Sequence, residues 1–148
     1  MGELLELVRE GFRRNDANDV DGFVAMMAAD CEWSTPEGPL HGREAVREYV
    51  RRFRTAFPDG RHTIDRALES GTTIAIEGRW AGTHTGAFAT PEGDVPPTGR
   101  RLGVPFALFI DGDPAVGEAT RIGLYMDHMT LAAQLGLLPE PQAAGAAS

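Results

Sequence analysis

The chain has 148 residues, is 42% hydrophobic and carries a net charge of −8 at neutral pH, which is one domain's worth of sequence with enough apolar residues for a core. No run reaches the roughly 18 apolar residues that a membrane span needs, and Met1-Gly2-Glu3-Leu4-Leu5 lacks the basic-then-apolar order of a secretion signal, so a cytoplasmic protein without a membrane partner is expected. The 14 cations are scattered, apart from a group on one helix face from Arg47 to Arg54; this argues against a nucleic-acid partner, whose phosphates need a basic face.

Leu4, Leu5, Val8 and Phe12 recur at helical spacing and predict a first helix over residues 3–15. Asn15 to Asp19 is turn and cap material, with Asn18 or Asp19 placed to receive the free amides of a second helix carrying Val20, Phe23, Val24 and Met27 on one face. Cys31 and Trp33 alternate with polar neighbours as in a short strand, which Thr35-Pro36-Glu37-Gly38-Pro39 breaks. A third helix starts near Arg43, with Val46, Val50, Phe53 and Phe57 on one stripe and Tyr49 beside it, and stops at Pro58-Asp59-Gly60.

The second half reads as strands: Arg61 to Glu69, Thr72 to Thr83, Arg101 to Ile110 and Ala119 to Asp127. A Gly- and Pro-rich loop runs from Thr85 to Gly99, and a short helix ends at Leu135. Helices first and strands after, with little βαβ alternation, predict an α+β domain with a largely antiparallel sheet. It spans residues 1–139, and a Pro-, Ala- and Gly-rich tail from Glu140 to Ser148 is expected to be disordered.

Every cation is an arginine, so no lysine Schiff base can form. Cys31 is the single cysteine; it allows no intrachain disulfide and no cysteine-built zinc site, and reads as a buried small apolar residue. His41, His62, His84 and His128 form no i, i+4 pair, and neither a Walker loop nor a GxGxxG fingerprint is present. No metal and no nucleotide cofactor is expected.

Two segments carry a resemblance: Gly78-Arg79-Trp80-Ala81-Gly82-Thr83-His84-Thr85-Gly86 with Pro96-Pro97-Thr98-Gly99-Arg100, and Tyr125-Met126-Asp127-His128 with Gln134-Leu135-Gly136-Leu137-Leu138-Pro139. Together with Asn18-Asp19, Trp33, Gly42-Arg43-Glu44-Ala45 and Ala56-Phe57-Pro58-Asp59, they resemble the SnoaL-like polyketide cyclases of the nuclear transport factor 2 superfamily. The resemblance implies a cone-shaped α+β barrel, helices on a curved sheet around an apolar pocket, and a homodimer. It implies a cofactor-free, metal-free intramolecular aldol ring closure, with an acid/base aspartate at the end of the last strand. Asp127 stands at that position here. Relatives often carry Trp where Met126 stands and Gln where His128 stands.

The expected substrate is a small apolar or aromatic carbonyl compound. An aspartate in an apolar pocket has its charged form disfavoured and its basicity raised, as the aspartate base of ketosteroid isomerase illustrates; Asp127 is therefore the expected base, although Asp is also a preferred helix cap. Tyr125, on the same strand parity, and His84, at a strand end, are the expected hydrogen-bond donors or proton-transfer partners. Trp33, Trp80, Phe106 and Tyr49 are expected to line the pocket, with Phe109 on the opposite parity from Phe106. Aromatic walls of this kind suit a flat polycyclic ligand. Isomerisation, epoxide or ester hydrolysis in the same pocket, and binding without chemistry are the alternatives.

Overall fold

The computed structural model describes residues 2–138; the expected tail from Glu140 lies outside them. Helix α1 (Glu3–Asp16) buries Leu4, Val8, Gly11 and Asn15 on one face. Its first amides do not go unpaired: the backbone N–H groups of Gly2 and Leu4 both donate to the Glu69 carboxylate at 2.6 Å, where an anion also suits the positive end of the helix dipole. Asn18 takes the left-handed conformation (φ 63°), and Asp19 caps α2 (Val20–Val24) by accepting from Gly22 N–H at 2.9 Å.

Strand β1 (Met27–Thr35) starts where the expected second helix still had its last apolar residue, because Met27 and Ala28 are buried against the core in extended backbone. A tight turn then leads into β2 (Gly38–His41) and directly into α3 (Gly42–Ala56). The sequence suggests only a break here, since it contains Pro39; β2 is an edge strand, where proline is tolerated. Strands β3 (Arg61–Ser70) and β4 (Thr73–Thr83) form a hairpin. The loop after them contains a small hairpin of its own, β5 (Phe88–Thr90) with β6 (Gly93–Val95), which the Gly and Pro content masked. Then follow β7 (Arg101–Asp113), β8 (Glu118–Met126) and α4 (His128–Gln134).

The main sheet has the order β2-β1-β8-β7-β4-β3. All neighbours are antiparallel except β1 and β8, which run parallel. Register shifts in β1 opposite β8, in β3 after Ile64 and in β7 after Asp111 bend the strands, as bulges do. The result is a curved, open sheet that wraps the helices as an α+β cone. Leu102, Val104, Phe106, Leu108 and Ile110 of β7 face the core, as their alternation predicts.

Pro105 sits within β7, a strand with neighbours on both sides. It is tolerated because the β8 ladder reaches only to Phe106, paired with Met126. Beyond that point a side chain from α4 takes over the strand edge. The Gln134 amide accepts from Gly103 N–H at 2.9 Å and donates to Gly103 C=O at 3.0 Å, satisfying backbone groups that an eighth strand would otherwise have to pair.

Candidate functional site

Between α1, α3 and the inner face of the sheet the cone holds a partly open cavity of about 140 Å³. Its walls are mostly apolar. Trp33, Tyr49, Trp80 and Phe106, the four residues expected to line a pocket, all do so. Phe109, on the other parity of β7, is 54% exposed on the outer face and touches Tyr125 instead.

One polar pair stands out in this wall. His62, on β3, lines the cavity, and Asp16, the last residue of α1, holds it twice. The Asp16 carboxylate lies 2.7 Å from His62 Nδ1 and accepts from the His62 backbone N–H at 3.1 Å. An ionised carboxylate can only accept, so Nδ1 carries a proton, and in the neutral imidazole the lone pair is the one on Nε2. The carboxylate thus fixes both tautomer and ring orientation, as the third member of a catalytic triad does. Phe12 stacks flat on the imidazole at 4.5 Å, and Phe106 meets it edge-on at 5.7 Å. Gly78 is needed beside this arrangement: a Cβ there would run into the Thr63 carbonyl oxygen and lie 2.8 Å from the Phe106 ring.

The position of Asp16 depends on Arg54, a buried guanidinium without a carboxylate partner among the described residues. Nε donates to Asn18 Oδ1 at 2.8 Å, Nη1 to Gly60 C=O at 2.8 Å, and Nη2 to Pro58 C=O at 2.7 Å and Asp16 C=O at 3.2 Å. One side chain therefore ties the end of α1 to the turn that launches β3, which is the geometry that brings Asp16 and His62 together across 46 positions of sequence. Burial pushes the Arg54 pKa down, and the charges of Asp16 and Asp59 oppose that shift.

The three residues expected to do the chemistry lie elsewhere. Asp127 is exposed and caps α4: it accepts from Thr130 N–H at 3.1 Å and from Thr130 Oγ1–H at 2.6 Å. These bonds hold its pKa below the ordinary carboxylate value, the opposite of the raised basicity a pocket would confer. Tyr125 lies on the outer side of β8 and is 59% exposed. The cavity is lined by Ile122, Leu124 and Met126 instead. Replacing Asp127 by alanine is therefore expected to lower the midpoint of thermal unfolding slightly through the lost cap and to leave any reaction in the cavity within about twofold of wild type; thermal unfolding and turnover check this together.

His84 is fully buried, behind Phe57 at 5.3 Å, and does not face the cavity. Thr98 N–H donates to its Nδ1 at 3.2 Å, so the proton is on Nε2. Burial pushes its pKa down, partly opposed by the Gly86 backbone; burial likewise pushes down His128. In the unfolded chain a histidine titrates at its ordinary value of 6.5. Below that pH the unfolded state binds protons that the folded state refuses, so stability is full above it and declines as the pH falls. The urea midpoint is expected to drop between about pH 7 and pH 5.5, and His84→Gln to flatten that slope. An unchanged slope in the variant would remove His84 from this account.

Cys31 is buried and its thiol is pushed up by burial, in keeping with a packing role. Among the described residues no group of three His, Cys, Asp or Glu side chains could hold a metal ion, and no helix is long and apolar enough to cross a membrane.

A family model described as a SnoaL-like domain matches residues 8–122. No curated protein matches the chain. Among solved structures, AclR from Streptomyces galilaeus, a candidate hydroxylase, superposes with a TM-score of 0.81 at 20% identity, over 96% of this chain and 86% of that one. IdmH from Streptomyces antibioticus, a candidate polyketide cyclase, gives 0.71 at 20% identity, over 88% and 96%. A protein with a ketosteroid isomerase-like fold from Catenulispora acidiphila, solved with trimethylamine, gives 0.73 at 21% identity, over 93% and 98%. At these identities the likeness is one of fold.

Proposed function

The chain belongs to the SnoaL-like domain family, and from that premise we propose that it is a cofactor-independent acid/base enzyme acting on a small apolar carbonyl compound, with His62 as the base. The observation that carries this reading is the Asp16–His62 pair, whose imidazole lines a mostly apolar cavity. His62 Nε2 takes a proton from the carbon next to the carbonyl, and the electron pair moves onto the carbonyl oxygen. Asp16 stabilises the imidazolium that forms. The enolate then attacks a second carbonyl of the same molecule, the aldol-type ring closure of polyketide cyclases, or takes the proton back at another carbon, which is isomerisation. Both outcomes share the first step, and the apolar walls favour it by keeping water from competing for the proton.

The shared step can be measured without knowing the natural substrate. In D₂O, the protein is expected to exchange the α-protons of cyclohexanone faster than buffer does, as followed by proton NMR. If neither cyclohexanone nor acetylacetone exchanges above the buffer rate, the acid/base reading falls and the cavity becomes a binding site without chemistry.

A further inference from the structure

Helix α1 turns one face to the core through Leu4, Val8, Gly11 and Asn15, and the last of these breaks the apolar run. Asn15 lines the cavity and keeps 9% of its surface open. Its backbone carbonyl accepts from Asn18 N–H at 3.0 Å. Its side-chain amide meets no hydrogen-bond partner among the described residues, and neither amide atom is sealed off from open space as the Trp33 Nε1 is. The chain's other asparagine, Asn18, shows the contrast. Its amide oxygen accepts from Arg54 Nε at 2.8 Å and its nitrogen donates to Pro58 C=O at 3.3 Å, so both ends are used in holding the fold. Asparagine is a weak helix former, and an amide taken out of bulk water without a partner destabilises the folded state. Leucine would continue the stripe without either penalty. An amide in such a place, open to the cavity, has its partner in what the cavity binds.

The position of Asn15 ties it to the acid/base pair. It directly precedes Asp16, whose carboxylate holds His62 Nδ1 at 2.7 Å. It follows by three residues Phe12, whose ring stacks on the imidazole at 4.5 Å. Side chains three apart on a helix are neighbours, about 5–6 Å between their Cβ atoms, so the amide and the imidazole stand at the same end of the cavity. Arg54 fixes that end of α1 through Asp16 C=O and the Asn18 side chain. We propose that Asn15 is a further catalytic residue, whose Nδ2–H donates to the substrate's carbonyl oxygen while His62 takes the proton from the adjacent carbon. This rests on the acid/base reading of the Asp16–His62 pair. The electron pair of the broken C–H bond moves through the new C=C onto the oxygen, and the amide N–H, already in place, stabilises the charge that develops there. The proton on His62 returns to carbon, so nothing is oxidised or reduced.

The test follows the side-chain amide signals of the intact, ¹³C- and ¹⁵N-labelled protein, with the Asn15 pair assigned through its own Cβ. Titration with cyclohexanone is expected to move that pair downfield. Methylenecyclohexane, which has the same shape and no acceptor, should leave it in place. In Asn15→Leu the α-exchange of cyclohexanone in D₂O should fall by about 10²-fold, the usual worth of one such donor. The midpoint of thermal unfolding should hold or rise, because leucine completes the apolar stripe. Should the leucine variant fail to fold, the wild-type titration decides alone. No ketone-specific shift of the Asn15 pair overturns the proposal and leaves the amide to a bound water. Exchange within threefold of wild type in Asn15→Leu also overturns it, and with a lowered midpoint it makes the amide structural. If the Asn15 pair moves with cyclohexanone but wild type does not exchange its α-protons, the contact to the carbonyl is upheld and the acid/base reading alone fails.

Discussion

With His62 replaced by glutamine, the protein-catalysed α-exchange of cyclohexanone is expected to fall by about 10²–10⁴-fold, the usual contribution of a positioned general base. Glutamine keeps a polar side chain of similar reach and can still meet Asp16, but it has no basic lone pair to offer the substrate. Cyclohexanone affinity should change by less than about threefold, because the ring-binding walls remain. Asp16→Asn provides the companion result. An amide at that position can donate to Nδ1, turn the imidazole to the wrong tautomer and leave Nε2 as a donor. Exchange should fall by a comparable factor while the side-chain volume is unchanged. Exchange within fivefold of wild type in His62→Gln would remove the histidine from the mechanism.

Arg54→Met should be the most destabilising single substitution at the site. Methionine fills much of the same space but forfeits four charge-assisted bonds, to Asn18, Gly60, Pro58 and Asp16, and leaves several of those acceptors unpaired. A loss of about 3–4 kcal/mol is expected, which for a chain of this size lowers the midpoint of thermal unfolding by about 10 °C. Arg54→Lys should recover only part of it, because a single ammonium cannot span acceptors that a planar fork reaches in different directions. Thermal unfolding by circular dichroism measures both. A loss under 1 kcal/mol for the methionine variant would mean that the end of α1 is held by packing alone.

Much of the fold can be read from local pattern. The stripe from Val46 to Phe57 marks α3 and the alternation from Leu102 to Leu108 marks β7, because both elements bury one face and expose the other. The site is harder to read. Parity separates Tyr125 from Leu124 and Met126, but whether its side of β8 is inner or outer depends on where the helices dock, which no local pattern records. His62 is harder still. It lies on an edge strand with alternating partly covered and open positions, and its partner is 46 residues away. The one available signal is a histidine on the same parity as Ile64, just after the Pro58-Asp59-Gly60 stop, together with an acidic residue ending the first helix. Arg54 gives less warning: on a helix with five arginines, nothing in the sequence distinguishes the one that is buried.

The parallel pairing of β1 with β8 also governs how the molecule comes into being. Residues such as Trp33 and Ile122 sit side by side in that ladder, so its closure requires contacts across most of the chain. Such long-range closure is entropically costly and slow. A ribosome must release nearly everything through β8 before the cavity has its last wall. Until then Trp33, Phe106 and their neighbours are open to water and to one another, so folding is expected on the millisecond-to-second scale of sheet-rich domains rather than the microseconds of helical bundles. The segment that completes the cavity is also the one that commits the chain to its native state.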